Sequence, residues 1–322
     1  MAPGLKAAAA LAIAFSMVNV AMSQSYPDRP VRVVIGFPAG GGVDFVARLL
    51  AQKLSERWAQ QAVVDNRPGA SQIIATELVA KSKPDGLTVL IVNAAHAINP
   101  SFSRKLPYDT QADFETVSLL AQYPFLLIIH PALPARTLKD LISLARARPG
   151  QLSYGSSGNG SAPHLGIELF KTMAKVNMLH VPYKGAAPAI TDLVSGEVQL
   201  MLLNLAPVKA LLQSGRLRAL AIAGPARSSS LPGVPNAFES GLPGFNVVGW
   251  YGMLLPAGVP RAIKAKLHGD VVMTLRADDV KQRLIAANNE PVGSTPEEFA
   301  DFLKKEMAKY SAVIARTGVK AN

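Results

Sequence analysis

Two glycine-rich segments carry the residues whose types and spacing suit the binding of an anion. The first is Phe-Pro-Ala-Gly-Gly-Gly at residues 37–42, and the second, at 155–161, is Gly-Ser-Ser-Gly-Asn-Gly-Ser. Each follows an apolar run and precedes a helical pattern, which predicts a strand, a loop and a helix N-terminus in that order. A helix N-terminus presents unpaired N–H groups and a partial positive charge, and glycine lets an anion approach the backbone. We therefore expect two anion-binding loops, which in different domains would face each other across a cleft.

Polar side chains in and near these loops extend the candidate site. Asp44 falls in the first turn of the first helix, where it favours the helix dipole and would repel a carboxylate, so we expect it to organise the loop or to contact an amine. Asn93, His96 and Asn204 lie at or just after strand ends, and open α/β sheets bind ligands at the carboxyl ends of their strands. The residues expected to contact a ligand are Phe37, Ala39, Gly40, Gly41, Gly42, Asp44, Asn93, His96, Ser156, Ser157, Gly158, Asn159, Ser161, His164, Tyr183 and Asn204.

Several of these side chains have a structural alternative. Ser156, Ser157 and Ser161 are good donors toward an anion, while Ser161 also suits the N-cap of the helix that follows. His164 lies one turn into that helix, where a structural hydrogen bond is favoured over catalysis. Tyr183 is expected either at the rim of the second domain or simply at the surface.

The same loops allow enzymatic hypotheses, which the spacing disfavours. Asp65 follows the first loop by about 20 residues, as in a dinucleotide-binding fold, but Gly40-Gly41-Gly42 does not match G-x-G-x-x-G. A dinucleotide-dependent enzyme with a Rossmann-like first unit is therefore the alternative hypothesis. Ser157 suggests a serine hydrolase, yet Asn159 stands where the nucleophile elbow needs glycine. We expect no enzyme, and no catalytic residue, metal or cofactor.

The N-terminal sequence carries the pattern of an export signal. Lys6 precedes an apolar run at 7–18 that is too short to span a bilayer, and Ala-Met-Ser at 21–23 is a small-x-small cleavage site. We predict a signal peptide over 1–23, cleavage before Gln24 and a periplasmic location. The sequence has no cysteine, which excludes disulfides, thiolate metal sites and lipidation of a cysteine.

Composition is that of an ordinary globular chain. Hydrophobic residues make up 49% of the 322 residues and charged residues 17%, and the length suggests about two domains. The net charge of +11 is spread over many segments without a dense basic tract, so nucleic acid is not an expected partner. A positive field would instead raise the local concentration of a small anion.

The elements that must position the loops alternate along the chain. Apolar runs bounded by Gly and Pro predict strands, and apolar residues recurring every three or four positions predict the helices between them. Such alternation favours parallel sheets with helical crossovers. A Ser-, Pro- and Gly-rich segment at 228–244 precedes an extended run at 245–255, which suggests a crossing point between domains. Predicted helices include 43–58, 71–80, 138–146, 186–194, 207–213 and 295–315.

Seven short segments together resemble the Bug proteins, the extracytoplasmic receptors of the tripartite tricarboxylate transporter system. They occur in family order through nearly the whole chain after the export signal, which is more specific than any single motif. The segments are YPDRP at 26–30, FPAGGGVD at 37–44, NRPGA at 66–70, HAINP at 96–100, YGSSGNGSAPH at 154–164, VPYKG at 181–185 and PVGSTPEEF at 291–299.

The resemblance implies an α/β fold of the periplasmic-binding-protein (Venus flytrap) type. Its two domains, each a mainly parallel sheet flanked by helices, would be joined by two crossing segments. Domain 1 would combine 24–124 with 246–322, domain 2 would be 125–245, and the ligand cleft would lie between them. The two glycine loops would act as pincers that bind a ligand carboxylate through backbone groups.

The resemblance also implies a function. We expect the chain to capture a small carboxylate by domain closure, either a di- or tricarboxylate, an aromatic carboxylate or an acidic amino acid. Its partners would be integral-membrane transporter subunits or a sensor ectodomain, and it would be a monomer. Leu203 stands where the family often has an acidic residue before Asn204, and Asn93-Ala94-Ala95 replaces a hydroxyl-rich stretch, which favours a less polar ligand tail.

Overall fold

The computed structural model describes residues 26–103, 105–228 and 230–319. The predicted signal peptide over 1–23 and its cleavage before Gln24 lie outside these residues. Within the described part of the chain, no helix is long and apolar enough to cross a membrane.

The described residues form strands and helices in alternation. The strands are β1 (Val31–Ile35), β2 (Ala62–Asn66), β3 (Thr88–Val92), β4 (Phe114–Pro124), β5 (Leu126–Ile129), β6 (Ser153–Ser156), β7 (Leu179–Pro182), β8 (Leu200–Leu203), β9 (Arg218–Ile222), β10 (Val248–Pro256) and β11 (Glu290–Pro291). The helices are α1 (Gly42–Trp58), α2 (Ile73–Ala80), α3 (Ala95–Phe102), α4 (Leu138–Ala147), α5 (Ala162–Ala174), α6 (Ala186–Ser195), α7 (Lys209–Gln213), α8 (Arg261–Arg276), α9 (Asp278–Ala286) and α10 (Pro296–Thr317).

The strands of the described residues pair into two mixed sheets, with strand orders β11-β4-β10-β3-β1-β2 and β7-β6-β8-β5-β9. Strands β1 and β3 pair in parallel and are almost wholly buried, which explains their continuous apolar sequences. Strand β10 runs antiparallel to both β3 and β4. The predicted two-domain α/β fold is confirmed, and the sheets are mixed because the strands next to the crossings run antiparallel to their neighbours.

The chain passes between the sheets twice, and the two crossings lie side by side. The first crossing is at Phe125, between β4 and β5, and the second follows β9 and ends before β10. Three backbone hydrogen bonds join them: Phe125 N–H donates to the Val247 carbonyl at 3.3 Å, Val247 N–H to Ala223 at 2.9 Å and Ala223 N–H to Phe125 at 2.7 Å. The domain bounds 24–124 with 246–322 and 125–245 stay a prediction, which these strand assignments support.

Two predicted elements differ from the structure. The long strand β4 has no counterpart in the sequence prediction, because its apolar residues do not alternate regularly and its pairing with β10 has register shifts. The helix predicted over 71–80 begins only at Ile73, because Ala70, Ser71 and Gln72 adopt positive φ angles of 46°, 49° and 78°.

Close packing of helix α10 on the first sheet gives a stability prediction. A Cβ atom at Gly252 in β10 would overlap the Phe299 ring of α10, which is fully buried. We expect Gly252→Ala to lower the free energy of unfolding by about 1–3 kcal/mol through overpacking. Gly269→Ala in α8 is the control, because nothing lies within 4 Å of its Cβ position, and there we expect a gain of about 0.5–1 kcal/mol. Denaturant unfolding measures both, and equal effects of the two substitutions would contradict this packing.

Candidate functional site

A cavity of about 60 Å³ lies between the two sheets, and we name it the inner cavity. Its walls come from both halves of the molecule and include both predicted glycine loops. The lining residues are Phe37, Pro38, Gly41, Gly42, Val43, Asn93, Ala94, Ala95, Tyr123, Phe125, Ser157, Ser161, Ala162, Pro163, Ala186, Leu202, Leu203, Asn204 and Tyr251.

Four helices of the described chain point their N-termini at the inner cavity. The first residues of α1, α3, α5 and α6 all line it, two helices coming from each half of the molecule. Each helix N-terminus carries the equivalent of about +0.5 elementary charge on unpaired N–H groups. The cavity is therefore positively polarised, although no lysine or arginine among the described residues lines it.

The first loop leaves backbone donors free. Among the described residues, the amides of Gly41 and Gly42 find no acceptor, and both residues line the inner cavity. Gly42 also permits close contact with the other half, because a Cβ atom there would overlap the Asn204 amide of that half, as well as the Tyr251 hydroxyl of its own half. The Asn204 amide donates to the Tyr251 hydroxyl at 3.0 Å. Gly42 is thus both a free donor and one of the points at which the two halves meet.

Asp44 braces the first loop from behind. Its carboxylate accepts hydrogen bonds from the Gly40 amide at 3.1 Å, from Arg48 Nε at 2.9 Å and from Asn66 Nδ2 at 3.0 Å. Asn66 Nδ2 also donates to the Phe37 carbonyl at 3.0 Å. Burial alone would raise the pKa of Asp44, but these hydrogen bonds outweigh it and hold the pKa below its usual value. The ionised side chain therefore fixes the loop without lining the inner cavity.

The second loop is fixed by its own side chains. The Gly160 amide donates to His164 Nδ1 at 3.0 Å, and the Gly158 amide donates to Ser156 Oγ at 3.2 Å. Ser161 caps helix α5, since its hydroxyl accepts from the His164 amide at 3.4 Å. Within the described residues, the amide of Ser157 has no acceptor, and Ser157 lines the inner cavity. This loop therefore also offers a free donor to a ligand.

A pair of stacked histidines supports the second loop. The His164 and His180 rings lie 3.9 Å apart and nearly parallel, and His180 Nε2 is 2.7 Å from Ser156 Oγ. Burial, together with the nearby Lys171 ammonium, lowers the pKa of His164 to about 4. Burial and the neighbouring His164 lower the pKa of His180 to about 3, against a raising effect of the Glu168 carboxylate. Both rings are neutral at pH 7, which leaves His164 Nδ1 able to accept from the loop.

A second, more open cavity of about 370 Å³ adjoins the inner one and shares Phe37 and Ser157 with it; we name it the outer cavity. The left-handed segment at 70–72 forms one side, and Ser71 Oγ donates across the cleft to the Asn159 carbonyl at 2.6 Å. The lining residues are Gly36, Phe37, Gly69, Ala70, Ser71, Ile73, Asn99, Phe102, Ser103, Ser157, Gly158, Asn159, Pro182, Tyr183 and Lys184.

The structure brings most of the predicted ligand contacts to these two cavities but not all. Six of them line neither: Ala39 and Gly40 are exposed, Asp44 lies behind its loop, Ser156 and His164 lie beneath the second loop, and His96 is in the core. The predicted contacts that line the inner cavity are Phe37, Gly41, Gly42, Asn93, Ser157, Ser161 and Asn204. Those that line the outer cavity are Phe37, Ser157, Gly158, Asn159 and Tyr183.

His96 is the clearest departure from the expected contacts. Asn93 and Ala94 line the inner cavity, but the helix that starts at Ala95 turns the next side chain toward the core. The His96 ring is fully buried, with the Phe114 ring at 5.4 Å and edge-on. Burial lowers the pKa of His96 to about 4, so it is a neutral core residue.

Sequence reasoning missed the aromatic wall of the inner cavity. Tyr123 stacks on Tyr251 with ring centroids 4.8 Å apart, and Phe125 meets Tyr123 edge-on at 5.2 Å. The two aromatics that flank Pro124 in the first crossing were the available signal. Their contribution to the cavity becomes visible only when β4 and β10 pair.

The features behind the enzymatic hypotheses have other partners. Asp65, the counterpart of a ribose-binding acid, accepts hydrogen bonds from Arg32 at 2.6 Å and Arg67 at 3.0 Å. Ser157, the candidate nucleophile, lines both cavities, but the hydroxyl that contacts a histidine ring within the described residues is that of Ser156, whose side chain is fully buried.

Comparison with known proteins agrees with this geometry. The profile of the tripartite tricarboxylate transporter family receptor (TctC) matches residues 46–319. Protein BugT of Bordetella pertussis is 35% identical over 92% of this chain and 92% of its own length. A protein of R. palustris solved with adipate is 38% identical, with a TM-score of 0.90 over 92% of this chain and 99% of that chain.

MatC from Rhodopseudomonas palustris, solved with bound malate, is 32% identical, with a TM-score of 0.85 over 90% of this chain and 100% of that chain. These relatives are receptors, and the profile covers most of the chain. The chain therefore belongs to the tripartite tricarboxylate transporter family receptors, and it is a solute-binding receptor rather than an enzyme.

Proposed function

We propose that this receptor is periplasmic and captures a small carboxylate by closing two domains, 24–124 with 246–322 and 125–245, over the inner cavity. It then delivers the ligand to tripartite tricarboxylate transporter subunits or to a sensor. The observation that carries this proposal is the convergence of four helix N-termini, within the described chain, on a cavity with free backbone amides and no acidic lining residue. Adipate and malate, the ligands of two relatives, are carboxylates.

The free donors suit a carboxylate better than a cation or a neutral solute. Gly41 and Gly42 offer amides from one half, and Ser157 offers an amide and a hydroxyl from the other. Hydrogen bonds to a charged group contribute about 1.5–3 kcal/mol each, so about four of them support micromolar affinity after the cost of closure. Such affinity is compatible with both capture and release.

Closure accounts for the contacts between the two halves. Ser71 of one half donates to the Asn159 carbonyl of the other. In the opposite sense, Lys209 Nζ of the second half donates to the Ala286 carbonyl of the first at 2.9 Å. A ligand that bonds to both loops would add to these contacts and shift the equilibrium toward the closed form.

Calorimetry of the purified protein with mono-, di- and aromatic carboxylates tests the function. We expect at least one acid to bind at one-to-one stoichiometry and its neutral amide not to bind, because the helix N-termini favour a negative charge. X-ray scattering with the bound acid should show a reduced radius of gyration relative to the ligand-free protein. A full panel of acids without binding would overturn carboxylate capture.

Gly42 gives a mutational test of closure. A Cβ atom in Gly42→Ala would overlap the Asn204 amide of the other half, so we expect the affinity for the bound acid to fall about 10- to 100-fold. Gly233→Ala is the control, because nothing lies within 4 Å of its Cβ position. Titration calorimetry measures the affinities, and thermal unfolding without ligand checks the fold. Unchanged affinity in Gly42→Ala would contradict this closed contact.

The histidine pair predicts different pH dependences for stability and binding. Because the pKa values of His164 and His180 are lowered to about 4 and about 3, the unfolded chain binds more protons below pH 6.5. Their contribution to stability is complete above about pH 6.5 and falls as the pH drops toward 4. The affinity for the ionised form of the acid should stay constant from pH 8 to 5, because the rings in the folded protein remain neutral there.

Denaturant unfolding at pH 7 and pH 5 measures the pH dependence of stability, and calorimetry at the same two pH values measures the affinity. His164→Asn keeps an acceptor for the Gly160 amide and should reduce the pH dependence of stability. Equal pH dependence in wild type and His164→Asn would show that His164 does not titrate as described.

A further inference from the structure

The inner cavity has no charged side chain with which a ligand could pair. Its described lining residues include no Asp, Glu, Lys, Arg or His, and the only titratable groups are Tyr123 and Tyr251. Burial raises the pKa of Tyr123 to about 12 and that of Tyr251 well above its usual value, so both hydroxyls stay neutral. The positive potential in the cavity comes only from helix N-termini and backbone amides.

Of the helix N-termini that line the cavity, those of α1 and α5 carry the glycine loops, whereas at α3 the Ala95 amide already donates to the Asn93 side chain at 2.9 Å. One carboxylate placed at the glycine loops can accept the free amides of Gly41, Gly42 and Ser157. A second carboxylate on the same ligand would have to lie against the remaining wall, and burying an unpaired charge is costly. Among the described residues that line either cavity, one is cationic, namely Lys184. It lines the outer cavity, and it is exposed.

Apart from the amide side chains of Asn93 and Asn204, the wall away from the loops is made of aliphatic and aromatic side chains. Tyr123 near the end of β4 and Phe125 at the first crossing contribute to it. Leu202 and Leu203 at the end of β8 contribute as well. All four side chains are less than 9% exposed, so the surface they present to the cavity is shielded from water. Such a wall stabilises a ligand by burying its apolar area.

We propose that the ligand is a monocarboxylate whose apolar body packs against Tyr123, Phe125 and Leu203, and that a second negative charge weakens binding. This inference rests on the proposed capture of a carboxylate. Adipate, which a relative binds, is the most stringent comparison, because hexanoate has the same number of carbon atoms and one carboxylate fewer.

Matched acids test the inference by calorimetry on the chain without its export signal. The pairs are butyrate with succinate, hexanoate with adipate, and benzoate with terephthalate, and hexanamide is the neutral control. We expect each monoacid to bind at least about tenfold tighter than its diacid, and hexanamide not to bind. Tighter binding of the diacids would overturn the monocarboxylate inference and leave carboxylate capture intact, whereas no binding by any acid would overturn the proposed function itself.

Two variants locate the apolar body. Leu203→Ala removes part of the wall, so we expect hexanoate affinity to fall about tenfold while acetate affinity changes little. Leu220→Ala is the control, because Leu220 is equally buried at 2% exposure in the same sheet but lines neither cavity. Equal losses for acetate and hexanoate in Leu203→Ala would contradict packing of the body on this wall.

Lys184→Met examines the competing arrangement, in which a distal carboxylate reaches the outer cavity. We expect the ratio of adipate to hexanoate affinity to remain unchanged in this variant. A selective loss of adipate binding of about tenfold would show that Lys184 pairs with a second carboxylate, and the inference would be overturned.

Discussion

The unpartnered backbone N–H groups at helix starts are the interaction on which the rest of this structure depends. Four helices of the described chain begin at one small cavity, and no acidic side chain among the described residues lines it. An anion is the partner that these groups lack. The sheets matter for function because they aim two helices from each half at the same point.

Close approach of the two halves sets the choice of small residues around the cleft. A Cβ atom at Gly42 would overlap Asn204, and one at Gly160 would overlap the Phe102 ring of the opposite half. A Cβ atom at Gly185 would likewise lie 2.6 Å from the Pro38 ring. Glycine at these positions serves the closed form, and Gly42 in addition leaves its backbone amide accessible to a ligand.

Both glycine loops are held in place by side chains behind them, but the groups that hold them differ in charge. An ionised Asp44, held by Arg48 and Asn66, braces the first loop, whereas a neutral pair, His164 and His180, braces the second. In both cases the bracing groups lie outside the inner cavity. A carboxylate bound in the inner cavity would therefore meet dipoles and amides rather than a full charge of either sign.

The sequence by itself determined the two glycine loops, their place after a strand and before a helix, and the family. Local patterns decide these features, because apolar periodicity, glycine and N-cap residues act over a few positions. Asn93, Ser157 and Asn204 were found in this way, since strand ends and helix starts can be recognised locally.

Only the tertiary structure decided which candidates line the two cavities. His96 lies only three residues after Asn93 in the sequence. The direction of helix α3 nevertheless sends the His96 side chain into the core. Tyr123 and Tyr251 are far apart in the chain and form one wall because β4 and β10 pair. The direction of a side chain depends on contacts between distant segments, and a single sequence does not contain those contacts.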